Sequence, residues 1–362
     1  MRLNPLTAKK LNRFRHIKRG YYSFLGILFL TVLSAFAELL INSRALVVHY
    51  EGEYYFPTYG EFIPGDTFGL GYSYETNYRD LSERFKKEDS GNWLFMPLVP
   101  YDPFENNEYG GIFKPTPPSF SDRHFLGTDT TGRDIVARLF YGLRIALLFS
   151  MAFLVLTYVI GIAIGCLMGY FGGLVDLVGQ RLIEIWSNMP FLYVVIIVFS
   201  VVPSTLSNVS RILILLTIMV AFSWMGMTYY MRTGAYKEKA RDYIAAVEAL
   251  GGGPVRIIFR HIIPNTLATI VTFMPFTIVG AITAVTALDY LGFGLPPPTP
   301  SLGELLKQGT DNLTTAPWIV ASSFFALVFL LTLVAFVGEA IREAFDPKKF
   351  TCLLYTSDAA DE

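Results

Sequence analysis

The chain has 362 residues, 52% of them hydrophobic and only 16% charged, with a formal net charge of −1. Soluble domains carry about 25% charged residues, so the deficit makes lipid the solvent for much of this chain. The charge balance says nothing about nucleic acid, and no such partner is expected; what informs is where the charges sit. The two cysteines, Cys166 in an apolar run and Cys352 in a polar tail, suggest neither a disulfide framework nor a metal site.

Residues 1–20 hold Arg2, Lys9, Lys10, Arg13, Arg15, Lys18 and Arg19 and no acid. A start of this kind stays in the cytoplasm. The apolar run that follows is too long for a signal peptide and no small-residue cleavage pattern follows it, so it reads as a retained span. A crossing helix needs about 20 mostly apolar residues. Six stretches qualify: Tyr21–Ile41, Ile145–Gly169, Ile183–Val202, Ile212–Met231, Leu267–Leu288 and Trp318–Gly338. Pro190 interrupts the third, and Glu184 within it is expected near a membrane surface. Six crossings return the C-terminus to the cytoplasm, and the basic connection between the fourth and fifth then faces the same side. The predicted fold is an all-α membrane protein with an external insertion between the first two spans. Its organisation is a basic cytoplasmic start at 1–20, a span at 21–41 and an insertion with a surface helix at 42–142. A transmembrane domain at 143–339, a cytoplasmic end at 340–350 and an unrelated tail at 351–362 follow.

In the insertion acids outnumber bases, and aromatics crowd its first part, among them Tyr50, Tyr54, Tyr55, Phe56, Tyr72 and Tyr74. Prolines punctuate its end. This reads as a small folded cap and a loop, either a lid packed over the spans or a docking surface for a solute-binding protein. Residues 129–144 are predicted to form a helix on the membrane surface, capped by Asp129 or Thr131. Ile135, Val136, Leu139, Phe140 and Leu143 recur there at helical spacing, and Arg133, Arg138 and Arg144 would reach headgroups. In the second span Gly161, Gly165 and Gly169 recur every fourth residue, a pattern that lets two helix backbones approach closely.

The segment Asp242–Asn265 reads DYIAAVEALGGGPVRIIFRHIIPN. Its first half is predicted to be a short helix stopped by Gly251 in the left-handed conformation. A second helix restarts at Pro254 and is expected to end before Pro264. Tyr243, Val247 and Leu250 would line one side of the first helix, and Val255, Ile258, Phe259 and Ile262 one side of the second. Ala245, Ala246 and Ala249 leave a low-relief surface, with Arg241, Arg256 and Arg260 at the rim. Such a unit either seats in a partner's groove or rests on lipid headgroups.

The order of small residues, Gly251 and then Arg260-His261-Ile262-Ile263-Pro264-Asn265 resembles the EAA loop of ATP-binding-cassette importer permeases, in the dipeptide/oligopeptide group. Further segments share the likeness: Leu126-Gly127-Thr128-Asp129 through Gly132-Arg133-Asp134, Arg144-Ile145, Asp289-Tyr290-Leu291-Gly292-Phe293-Gly294-Leu295, Ser301-Leu302-Gly303-Glu304 and Arg342-Glu343-Ala344-Phe345-Asp346-Pro347. The long insertion and Arg13-Phe14-Arg15 are similar to members that import oligopeptides and microcin C. The resemblance implies a type-1 permease subunit, multi-pass in the bacterial inner membrane, with both termini cytoplasmic. It implies partners: ATP-binding-cassette ATPase subunits, a second homologous permease subunit, a periplasmic solute-binding protein and membrane lipid. ATP-Mg would sit on the partner ATPase and no cofactor on this chain. ATPase coupling would fall to Ala245, Ala246, Val247, Gly251, Arg256, His261 and Pro264. His261 reads as a packing or capping residue, or as a pH sensor. The chain departs from the family at Ala245, where another residue is usual, at Val247, which is bulkier than the usual alanine, and at Gly252-Gly253, which replaces an Ala-Ser-like pair.

No G-x-x-x-x-G-K-[ST] phosphate loop, H-E-x-x-H, Cys-x-x-Cys or G-x-S-x-G motif is present, so a transport subunit rather than an enzyme is expected. Glu38, Asp289 and Glu339 fall near span ends, where Asp289 either lines the outer mouth of a path or holds a helix end. The second, fourth and sixth spans carry no acid or base inside, which argues against a proton-coupled carrier. An enzyme using the outer domain would have only His49 and His124 as histidines there.

Overall fold

The computed structural model describes residues 5–345 apart from 89–90, 109–110 and 204. The expected tail at 351–362 and the Asp346-Pro347 end of the last motif lie outside the described residues. The chain divides into two compact units: 1–28, 148–284 and 330–362 in the first, 29–147 and 285–329 in the second.

The basic start forms α1 (Pro5–His16), followed by α2 (Lys18–Ala35) and a short α3 (Ala37–Leu40). The expected first span is therefore two helices, broken at Phe36 where φ is −105° and ψ 26°. The insertion is not helical throughout, which corrects the all-α expectation. Its strands β1 (Val47–Tyr50), β2 (Glu53–Tyr55) and β3 (Trp93–Phe95) form an antiparallel sheet in the order β2-β1-β3. The β1–β2 turn is Glu51-Gly52, both with positive φ (50° and 86°), the geometry that matches strand twist in a two-residue hairpin. Helix α4 (Tyr78–Glu88) packs Tyr78, Leu81 and Phe85 against Val48 and Phe68, so the cap has its own core. Burial pushes the Tyr78 phenol up to about 12.

The surface helix expected at 129–144 does not exist as a separate element. Its apolar residues begin α5 (Ile135–Phe171), one helix of 37 residues. The cap is neither Asp129 nor Thr131 but Asp134, whose Oδ1 accepts from the backbone N of Ala137 at 2.8 Å. A periodic run cannot show where one helix stops and the next starts when nothing breaks the pattern. The third expected span is also redrawn. It consists of α6 (Gly173–Ser187) and α7 (Phe191–Val201), bent by 68° at Pro190.

Helix α8 (Asn208–Lys239) starts at Ser207, which accepts from Ser210 N. After it come α9 (Asp242–Ala249), α10 (Pro254–Ile257), a π turn at Ile258–Ile262 and α11 (Ile263–Leu291). The chain closes with α12 (Leu302–Asp311) and α13 (Pro317–Phe345). Among the described residues four helical stretches are long and apolar enough to cross a membrane: α5, α8, the continuous Pro254–Leu291 and α13. The α6–α7 pair makes five if it counts as one span.

The glycine repeat of α5 does what its spacing predicts. A Cβ on Gly161 would lie 2.8 Å from Trp224 O, on Gly165 2.5 Å from Thr228 O, and on Gly169 2.5 Å from Arg232 O. Each glycine meets the α8 backbone one turn further on, so any side chain there drives the two helices apart.

Candidate functional site

The segment after α8 folds as a bracket. Helix α9 buries Ile244 completely and ends at Leu250. Gly251 then takes φ +83°. Its N–H donates to Glu248 O at 2.9 Å and the N–H of Gly252 to Val247 O at 2.8 Å, the paired bonds that close a glycine-terminated helix end. The predicted left-handed stop is therefore present. Pro254 opens α10, also as expected, behind Gly253, which has no side chain to cap it.

The second half departs from expectation at Pro264. The helix does not end there. Residues Ile258–Ile262 widen into a π turn, in which Ile263 N–H donates to Ile258 O five residues back. Proline lacks an N–H and its ring crowds the preceding turn; a widened turn takes up both defects locally. Pro254 to Leu291 is thus continuous.

The faces also differ from the periodic reading. Ile257, Ile258 and Ile262 are buried with Ile244 in one core, against Cys166, Met227, Met231 and Ile270, with Tyr243 and Val247 packed on its edge. Val255 and Phe259, expected on one side with Ile258 and Ile262, are instead 71% and 69% exposed, and Leu250 is 89% exposed. Ala245, Ala246 and Ala249 are exposed as well. The stripe read from the period is thus split, with Ile258 and Ile262 in the core and Val255 and Phe259 outside it. The outcome is an unpartnered surface of three large apolar side chains beside three alanines.

An open cleft of about 310 Å³ lies in this surface, lined by Val247, Leu250, Gly252, Arg256, Arg260 and His261. Of the expected coupling residues it brings together Val247, Arg256 and His261; Ala245, Ala246, Gly251 and Pro264 do not line it. Arg256 and Arg260 make no ion pair among the described residues, whereas Arg241, expected at the same rim, pairs with Glu238 at 3.1 Å. The ring of His261 lies 6.1 Å from that of Tyr243.

The two unusual residues prove to be one feature. A Cβ on Gly252 would sit 2.4 Å from Val247 Cγ1 and 2.8 Å from Val247 O. The bulk added at 247 fills the space that a side chain at 252 needs, so a glycine at 252 accompanies the valine.

Sequence reasoning missed the clamps that hold the bracket. Tyr243 donates its hydroxyl to Glu238 Oε2, and Asn265 Nδ2 donates to Tyr243 Oη at 2.7 Å. Burial, helped by the Glu238 carboxylate, raises the Tyr243 phenol above its ordinary value, so it stays a donor. At the end of α5, Tyr170 donates to Glu248 Oε1 at 3.1 Å and accepts from Lys239 Nζ at its carbonyl at 2.6 Å. Helix α9 is thus tied to α8 by a near neighbour in sequence and to α5 and α11 by side chains far from it, ties that no helical period reveals.

In the second unit Asp129, Arg133, Asp134 and Glu304 from two of the other shared motifs lie in buried polar contacts. Arg138 Nη2 bonds Glu304 Oε2 at 2.6 Å, and Arg133 Nε bonds Asp129 Oδ2 at 2.7 Å. His124 Nδ1 lies 2.7 Å from Asp134 Oδ2, both essentially inaccessible. Arg133 and Arg138 are therefore internal and do not reach headgroups, and Arg144 pairs with Glu38 at 2.7 Å. Asp289 is 7% exposed, accepts from Leu295 N at 2.6 Å and from the Ser301 hydroxyl, and so holds a helix end. Ser301 in turn caps α12.

Residues 161–351 match the family described as binding-protein-dependent transport system inner membrane component. The chain is 40% identical over 348 residues to the inner membrane ABC transporter permease protein YejE of Escherichia coli, covering 96% of this chain and 99% of that protein. It is 37% identical to the peptidoglycan transport system permease protein YejE of Agrobacterium fabrum, over 96% of this chain and 94% of that one. It is 32% identical over 255 residues to the dipeptide transport system permease protein DppC of Haemophilus influenzae, over 69% of this chain and 83% of that one.

Proposed function

The chain belongs to the binding-protein-dependent transport system inner membrane components, as a permease and not an enzyme, and we propose that it serves an ATP-driven importer of short peptides or peptide-like compounds. Its partners in this reading are ATP-binding-cassette ATPase subunits, a second homologous permease and a periplasmic solute-binding protein. ATP-Mg is held by the ATPase. Six crossings, with α2–α3 as the first and α6–α7 as the third, leave both termini cytoplasmic, in keeping with the basic residues at 1–20. The insertion between the first two crossings is then periplasmic.

One observation carries the coupling role: the α9–α10 bracket exposes Leu250, Val255 and Phe259 beside Ala245 and Ala246 while three long helices clamp its back. An exposed apolar group on a rigid mount is a surface for a protein partner. The unpaired Arg256 and Arg260 beside it fit an acidic rim on that partner. Closing of the ATPases on ATP moves the bracket and with it α8 and α11, and the binding free energy of ATP in the closed state drives the change of access.

Ala246→Glu places a charge on the exposed face of α9 without disturbing its buried side. The expected result is at least a tenfold loss of ATPase association in detergent-solubilised complexes, with membrane insertion unchanged. Wild-type association in this variant would remove the bracket from the ATPase interface.

A further inference from the structure

A cavity of about 430 Å³ opens among α5, α8 and α11, within the roughly 300–1,000 Å³ range of small-ligand sites. Aromatic rings dominate its walls, and Tyr230 and Phe273 stack at 4.0 Å. Its lining contains no Asp, Glu, Lys, Arg or His.

Two features set it apart from ordinary packing. The first is Thr157. Threonines along these helices satisfy their hydroxyls on a carbonyl four residues back, as Thr228, Thr272 and Thr283 do. Thr157 lines the cavity and is 2% exposed, and its Oγ1 has no hydrogen-bond partner among the described residues. A buried hydroxyl left in this state is destabilising, and its persistence calls for a partner. The second is the glycines. Gly161, Gly165 and Gly169 are pressed against α8, but a Cβ on Gly226 or Gly280, both in the cavity wall, would meet nothing within 4 Å. These two glycines keep space open rather than bringing backbones together.

We propose that the cavity is a station on the transport path for the uncharged part of a peptide, with an apolar or aromatic side chain among the rings and a backbone amide bonded to Thr157 Oγ1. The proposal rests on the peptide-importer reading above. A lining with no ionic partner disfavours acidic or basic side chains. A lipid acyl chain fits the rings but leaves Thr157 unpaired, so the hydroxyl favours a peptide.

The test uses the complete importer in proteoliposomes, with its partner permease, ATPases and binding protein. Uptake of radiolabelled Ala-Phe-Ala and Ala-Gly-Ala is followed beside ATP hydrolysis. Gly226→Leu and Gly280→Leu grow side chains into the open space. Each is expected to lower Ala-Phe-Ala uptake about tenfold or more, as crowding in a specificity pocket does, while Ala-Gly-Ala uptake and ATP hydrolysis stay within about twofold. Thr157→Val keeps the shape and removes the hydroxyl, and is expected to lower uptake of both peptides about fivefold, the worth of one neutral hydrogen bond. The station is overturned if the leucine variants treat the two peptides alike, or if Thr157→Val transports at the wild-type rate, the result for a cavity filled by lipid. Wild-type uptake that proceeds without ATP would instead overturn the importer reading itself.

Discussion

The contact between Val247 and position 252 supports a double-mutant cycle whose sign and size follow from the geometry. In Gly252→Ala the new methyl would lie 2.4 Å from Val247 Cγ1 and 2.8 Å from Val247 O, both inside contact distance. Overfilling a packed site costs about 1–3 kcal/mol. Part of that is the clash with Cγ1, which Val247 relieves by leaving its rotamer at about 0.5–1.5 kcal/mol. The remainder is the clash with the carbonyl, which only a shift of the bend removes. Val247→Ala alone loses a half-buried side chain at the edge of the Ile244 core, about 1 kcal/mol. In the double variant Cγ1 is gone, so the alanine at 252 no longer meets it. The coupling energy is then about 1 kcal/mol, favourable to the double variant, or roughly fivefold in an equilibrium constant. Binding of the purified ATPase to the detergent-solubilised permease reads this out, because the proposed docking surface includes the bend. We expect Gly252→Ala to weaken binding by about tenfold and the double variant to bind more tightly than the sum of the two changes. Strict additivity would refute the argument that valine at 247 and glycine at 252 are one adaptation.

Two further predictions rest on buried groups. Glu304→Gln removes one of the two carboxylates that face the fully buried Arg138 and leaves Asp129 at 3.4 Å; the cost is therefore below the about 3–5 kcal/mol of stranding a buried charge altogether, and a lower melting temperature of the purified permease in detergent is the expected sign. Gly165→Leu forces a branched side chain onto the Thr228 carbonyl, where even a Cβ would lie at 2.5 Å, and is expected to abolish recovery of folded protein, whereas Gly226→Leu on the open side of α8 is recovered normally.

What the sequence could reveal divides along a physical line. Features encoded by neighbours in sequence were legible: the Gly251 stop, the restart at Pro254, the break at Pro190 and the tight α5 glycine face. Each depends on backbone sterics within a few residues, or on a period that one helix keeps. Features that depend on another element were not. The apolar run from Ile135 reads as a surface helix because nothing in the pattern says that it joins the span beyond it. Pro264 reads as a stop because its rescue by a π turn is a property of the surrounding helix. The split of the apolar stripe, with Ile258 and Ile262 buried and Val255 and Phe259 exposed, depends on what packs against the helix and was not legible either. The clamps from Tyr170 and Tyr243, and the pairing of Arg138 with Glu304, join residues whose separation in the chain hides them. The family motifs flagged several of these positions without giving their role.

The π turn has a mechanical consequence for the coupling reading. Had the helix ended before Pro264, a loop would separate the exposed bracket from the following span, and motion of the bracket would dissipate in it. Instead Phe259, on the exposed surface, and Phe273, in the cavity wall, belong to one continuous helical stretch. Fourteen residues at about 1.5 Å each place them about 21 Å apart along the axis. A tilt of about 10° applied at one end moves the other by nearly 4 Å, more than the clearance a hydrogen bond tolerates. In the coupling reading, a helical segment of this length converts a small displacement of the bracket into loss or gain of the cavity's polar contacts. Pro275, inside α11 and two residues beyond Phe273, withholds one backbone N–H from the helix, and so marks a second weak point besides the π turn and Pro264. Bending there lets Phe276, Thr277 and Gly280 move separately from Tyr230 on α8. The walls of the cavity thus lie on both sides of a weak point in one helix, an arrangement in which a push on the bracket changes the cavity's width rather than only its position.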